Sequence, residues 1–189
     1  MRYYSYFAIG ARSTENQYHR EVASGLDFPV GMKNPTSGDL AIMINSILAS
    51  QNPSVYVIGN DVFETTGNKF AHGILRGGSA GPNYSLENIV KCYELMKAKN
   101  LNTGIIIDTN HDNSRKKFEL QQSIMEEVIE NIGNNENLKD FVKGFMVESY
   151  LYDGRQDFSE NVKYGLSLTD PCIGLEKTRK FVERLYELV

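Results

Sequence analysis

The chain has 189 residues, 41% of them hydrophobic and 23% charged, with a net charge of −4. That length supports one domain with a sizeable core, and the acidic balance excludes an overall basic footprint for nucleic acid. No apolar run approaches the roughly 20 residues of a membrane span, the opening stretch lacks the pattern of a secretory signal, and Cys92 and Cys172 lack metal-like spacing, so a reducing cytoplasm is expected.

Strand and helix signals alternate along the chain. The apolar run Tyr6–Ala11 reads as a first strand leading into Arg12. Ser13 to Gln17 reads as a helix start near a capping arrangement, with the helix stopping at Ser24-Gly25. Phe28–Met32 is a second strand leading into Lys33, and the turn 34–39 precedes a helix from Leu40 to Ser50 that Pro53 ends. Val55–Ile58 and Val62–Thr66 bracket Gly59-Asn60-Asp61 as a hairpin with a three-residue loop, an insertion outside the main sheet.

The third unit is a strand over 72–76, ending on Arg76, and a helix opened by Ser85 that reaches about Asn100. The fourth is a strand over 104–109 and a helix from about Ser114 to Asn131, followed by a polar loop at 133–137. The fifth is a strand over 144–149 containing Glu148, then a loop of about twenty residues rich in Tyr, Gly and Asp, of a length that usually serves function. The last helix covers about Gly174 to Leu188.

Near-continuous apolar runs suit strands buried on both faces of a parallel sheet. Five of them end on or just before Arg12, Lys33, Arg76, His111 and Glu148. Chemistry in α/β folds collects at that end of the strands. An open doubly wound sheet fits the alternation. A (β/α)₈ barrel fits the ring of polar strand ends better, although five units leave it three short.

Arg12, Lys33 and Arg76 suit a small molecule carrying phosphate and carboxylate, since Arg offers a bidentate fork and Lys a point charge. Each could instead form a structural ion pair. His111, Glu148 and Asp170 offer one nitrogen and two oxygen ligands, a set suited to Mn, Fe, Co or Zn. The competing roles are a loop histidine, a paired carboxylate and a helix cap. Gly77 to Gly81 lacks a P-loop ending and reads mainly as room for the backbone beside Arg76. His19 reads as a surface or packing residue, and His72 as a core or supporting one.

GARSTENQYHREVASGLDFPVGMKN, HGILRGG, GPNYS, IIIDTNHDNS, GFMVES and YGLSLTDPCIG together resemble type I 3-deoxy-D-arabino-heptulosonate-7-phosphate (DAHP) synthases. The resemblance covers essentially the whole chain. It implies the last five βα units of a TIM (β/α)₈ barrel, as one partial barrel domain over 1–189, with the hairpin at 55–66 as a family insertion. It implies a cytoplasmic enzyme that joins phosphoenolpyruvate to erythrose 4-phosphate and releases phosphate, the entry to aromatic amino acid biosynthesis. By motif position, Arg12, Lys33 and Arg76 would bind phosphoenolpyruvate, and His111, Glu148 and Asp170 would bind a divalent metal. Lys33 and His111 are the expected catalytic groups.

The family's first three units are not in this sequence. They carry a Gly-Pro-Cys metal ligand and a Lys-Pro-Arg-Thr segment that grips erythrose 4-phosphate, and Cys172 does not occupy that ligand motif. The chain by itself is therefore expected to be inactive. A split enzyme completed by an N-terminal half in trans, a truncated remnant, and a non-catalytic anion-binding or regulatory module remain alternatives. So does a 3-deoxy-octulosonate 8-phosphate synthase-like enzyme, although ARSTEN and DTNHDNS favour the heptulosonate enzyme. A homo-oligomer would not obviously repair the barrel, and no nucleic-acid or membrane partner is expected.

Overall fold

The computed structural model describes residues 3–101 and 103–189. Met1 and Arg2, part of the opening stretch weighed above, and Asn102 lie outside the described residues. Strands β1 (Phe7–Ile9), β2 (Val30–Lys33), β5 (Ala71–Leu75), β6 (Ile105–Asp108) and β7 (Val142–Met146) form one sheet in that order. Every neighbouring pair is parallel. Strands β3 (Val55–Ile58) and β4 (Asp61–Glu64) form a separate antiparallel hairpin. The reading of five parallel units plus an inserted hairpin holds.

Helices α1 (Gln17–Ser24), α2 (Leu40–Gln51), α3 (Leu86–Ala98), α4 (Gln121–Ile132), α5 (Glu136–Phe141) and α6 (Leu175–Leu188) complete the fold. Apolar side chains decide which face of the sheet they cover. Met43 and Ile47 of α2, Ile89 and Met96 of α3 and Val128 of α4 pack with Met32, Leu75, Ile105 and Ile107 in one buried cluster. Met125 of α4 and Phe181 of α6 join Ile173 in a second. Alternation along each strand sends the intervening residues to the opposite face. On that face a Cβ at Gly31 would collide with Ile74 and the Tyr6 hydroxyl. There the Tyr6 hydroxyl donates to His72 Nε2 (2.9 Å), while His72 Nδ1–H donates to the Phe70 carbonyl (2.9 Å). His72 is thus the satisfied packing residue expected.

Several boundaries differ from expectation. Helix α1 is capped by Asn16, whose side chain accepts from the His19 N–H, and Ser13 to Asn16 form turns instead. The hairpin has a two-residue turn, because Ile58 pairs with Asp61 and Gly59 takes φ +62°. The segment after β6 stays irregular until a 3₁₀ turn at Phe118–Leu120. His111, Arg115 and Lys116 have φ of +46°, +53° and +59°, which a right-handed helix cannot contain. The polar loop expected at 133–137 is shortened by α5, which Asn135 caps and whose Leu138 and Phe141 are buried. Gly174, not Asp170, caps α6.

Candidate functional site

All five strands of the sheet point the same way, so the residues just beyond their ends gather at one edge. Lys33 is the last residue of β2, and Asp108 is the last residue of β6. The Lys33 ammonium donates to Asp108 Oδ2 at 2.7 Å, with the Asp108 side chain wholly buried. The Asn110 N–H donates to Asp108 Oδ1 (3.0 Å), an Asx turn that bends the chain away from the strand axis. The bend and the left-handed backbone of His111 bring its ring back over the strand end, with Nδ1 2.8 Å from Asp108 Oδ2. That contact lies off the N–H direction, and Nδ1 has no other partner among the described residues. Burial opposes ionisation of Asp108. His111 and Lys33 outweigh it and hold the carboxyl below its ordinary range.

The other ring nitrogen faces two carboxylates. His111 Nε2 lies 3.7 Å from Glu148 Oε1 and 3.5 Å from Asp170 Oδ2. One ligand atom from each of the three residues lies within 4.8 Å of the others. These separations are near the ~3.0–3.5 Å edge of a coordination polyhedron with bonds of ~2.1 Å, so a single small divalent cation fits the set. Glu148 is held through its backbone. Its N–H donates to Gln121 Oε1 (2.9 Å) and its carbonyl accepts from Gln121 Nε2 (3.0 Å), with Gln121 fully buried. Asp170 sits in the long loop, with Lys116 Nζ 3.6 Å from its second oxygen. Cys172 donates its thiol to the Asp170 carbonyl (3.3 Å), and burial raises its pKa, so it is outside the ligand set as expected.

Arg76 follows β5 and is buried, and its guanidinium pairs with the Asp112 carboxylate. Its Nε–H is buried and has no acceptor among the described residues, which is what an anion bound at this strand end would satisfy. Three asparagines lock the surrounding backbone. Asn34 Oδ1 accepts from the Arg76 N–H (2.9 Å) and from Asn83 Nδ2 (3.0 Å), and Asn34 Nδ2 donates to the Gly77 carbonyl (2.7 Å). Asn113 Oδ1 accepts from the Asn83 N–H (2.8 Å), while Asn113 Nδ2 donates to the Asp108 carbonyl (2.8 Å). Gly77, at φ +79°, has no space for a Cβ, which would lie 2.6 Å from the Asn113 nitrogen. The glycine does make room beside Arg76.

Arg12 is the exception. It lies beyond β1 at the same edge, but it is exposed, and no hydrogen bond or ion pair among the described residues ties it to the cluster. Sequence reasoning missed Asp108, Asn34, Asn83, Asn113 and Gln121. A carboxylate closing the apolar run Ile105-Ile106-Ile107 was the available signal for Asp108. The asparagines and Gln121 act through backbone groups that no spacing reveals.

The family model described as the DAHP synthetase I family matches residues 1–183. The chain belongs to that family. It is 38% identical over 192 residues to the phospho-2-dehydro-3-deoxyheptonate aldolase, Tyr-sensitive, of Salmonella typhimurium, covering 97% of this chain and 53% of that protein. It is 38% identical over 196 residues to the tyrosine-inhibited phospho-2-dehydro-3-deoxyheptonate aldolase of Schizosaccharomyces pombe, covering 98% and 52%. The solved phospho-2-dehydro-3-deoxyheptonate aldolase of Francisella tularensis SCHU S4 superposes with a TM-score of 0.91 at 38% identity, covering 98% of this chain and 55% of that one. The chain thus spans about half the length of these relatives and carries part of the family's TIM-barrel architecture. A metal is implied by the family, and His111, Glu148 and Asp170 are the candidate ligands in this part. Among the described residues, no helix is long and apolar enough to cross a membrane.

Proposed function

We propose that this chain, as a single partial barrel domain over 1–189, supplies the phosphoenolpyruvate and metal sites of a DAHP synthase. That cytoplasmic enzyme condenses phosphoenolpyruvate with erythrose 4-phosphate and releases phosphate. The observation that carries this reading is the convergence of Lys33, Arg76, His111, Glu148 and Asp170 at one sheet edge in a chain of this family. Residues beyond this sequence, on the same polypeptide or another, would complete the barrel and bind the sugar phosphate.

Arg76 and Lys33 act first by position. Their charges orient the phosphate and carboxylate of phosphoenolpyruvate, so that one face of its carbon–carbon double bond meets the aldehyde. Lys33 then stabilises negative charge as it develops in the transition state, at a site whose buried walls strengthen the interaction. Arg12 joins them only by swinging in from its exposed position. His111, Glu148 and Asp170 would hold Mn, Fe, Co or Zn, which when bound supplies Lewis acidity towards the sugar aldehyde.

The test is synthase activity of the purified chain with Mn²⁺, phosphoenolpyruvate and erythrose 4-phosphate, with and without a separately made N-terminal half of a relative. Little turnover alone and clear turnover with the added half is the expected result. Turnover at an enzymatic rate by the chain alone would refute the division of the site. A folded pair with no turnover would favour a non-catalytic remnant.

A further inference from the structure

We propose that Asp108 is a positioning residue that yokes the substrate-binding lysine to the metal-binding histidine through a single carboxylate oxygen. The inference rests on the functional reading above and extends it to a residue that touches neither substrate nor metal. Asp108 Oδ2 lies 2.7 Å from Lys33 Nζ and 2.8 Å from His111 Nδ1, while Oδ1 is occupied by the Asn110 N–H at 3.0 Å. The carboxylate is sealed from solvent, and among the described residues Lys33 and His111 are its only titratable partners. Neither group can move without changing how the other shares that oxygen.

The arrangement also chooses a tautomer. His111 can offer the Nε2 lone pair towards Glu148 and Asp170 only with its proton on Nδ1. Nδ1 lies 2.8 Å from Asp108 Oδ2, off the N–H direction, and has no other acceptor among the described residues, so a small turn of the ring completes that hydrogen bond. A carboxylate behind a metal-binding imidazole fixes its orientation and raises its basicity. Here the same oxygen also anchors Lys33. When His111 is engaged at Nε2, its Nδ1–H becomes a stronger donor and draws on the oxygen, which loosens Lys33 for an incoming anion. Metal and anion affinities are then coupled, and by linkage the coupling is reciprocal.

The test uses the purified chain with Zn²⁺ alone as the diamagnetic probe. Imidazole-nitrogen NMR should find His111 protonated on Nδ1 before metal is added. Zn²⁺ binding should shift the side-chain signals of Lys33. Asp108→Asn should weaken Zn²⁺ binding by about tenfold or more and suppress the Lys33 response. Asp108→Glu, which keeps the charge but displaces the oxygen, should also weaken binding, a loss that charge alone would not produce. A resting Nε2–H tautomer, a Lys33 signal insensitive to Zn²⁺, or Asp108→Asn affinity within about twofold of wild type would overturn the proposal. If Asp108→Asn fails to fold, the wild-type tautomer and Lys33 response decide the matter. A wild-type chain that folds but binds no Zn²⁺ overturns the functional reading itself.

Discussion

The two walls of the site are built differently. On the side of β2, β5 and β6, Lys33, Arg76 and Asp108 are buried, and the asparagine lattice ties neighbouring strand ends to one another. On the side of β7 and the long loop, Glu148 and Asp170 have side chains that are 33% and 32% exposed. That second wall depends on Gln121 and on isolated bridges such as Ser149 with Ile173 and Gly154 with Cys172. The cationic wall is therefore part of the folded core, whereas the carboxylate wall is a loop set against it. Substitutions on the first should register mainly in stability, except at Asp108 behind His111, and those on the second mainly in metal binding.

The largest effect is expected at the buried ion pair. Lys33→Met removes the only ammonium paired with the buried Asp108 carboxylate among the described residues and should cost about 3–5 kcal/mol in urea unfolding. A loss below about 1 kcal/mol would dissolve the contrast between the walls. Next comes Gln121→Leu, which removes both hydrogen bonds to the Glu148 backbone. It should cost about 1–3 kcal/mol, and it should also weaken Mn²⁺ binding by displacing Glu148. Mn²⁺ affinity equal to wild type would show that Glu148 is held by something else.

A smaller effect follows from His72 on the inner face of β5. Burial lowers its pKa from 6.5, and the bond to the Phe70 carbonyl only partly opposes this. The folded state binds the proton less well than the unfolded chain. Its contribution to stability is therefore complete above the ordinary value of 6.5 and is lost as pH falls through the lowered folded value. Unfolding measured across that window should show stability declining on acidification, and His72→Gln should flatten the decline. The smallest effect belongs to Lys116, 61% exposed at the rim of the carboxylate wall. Lys116→Ala should change stability by no more than about 0.5 kcal/mol, and a larger change would mean that this wall is stiffer than its exposure implies.

The same division separates what the sequence disclosed from what it hid. The central strands were legible because they are buried on both faces or nearly so, and Val30–Met32 and Ile105–Ile107 read as unbroken apolar runs. Lys33, Arg76, His111 and Glu148 were legible because charge follows directly on such a run. The segment from Ser114 to Leu120 was read as the opening of a helix, because left-handed non-glycine residues such as Arg115 and Lys116 leave little trace in composition. Asp108 was passed over because its role is defined by Lys33, 75 residues away, a pairing that only the β5 strand between them brings about. Arg12 was grouped with the other cations by position in its motif, yet its side chain stays outside the cluster.

The most direct measurement is a Mn²⁺ titration of the purified chain followed by electron paramagnetic resonance, repeated with Glu148→Gln. The account predicts that wild type removes about one equivalent of the free-ion signal and that Glu148→Gln removes far less at the same concentration. A free-ion signal undiminished by the folded wild-type chain, or equal uptake by the variant, would contradict the assignment of this strand edge as the metal site.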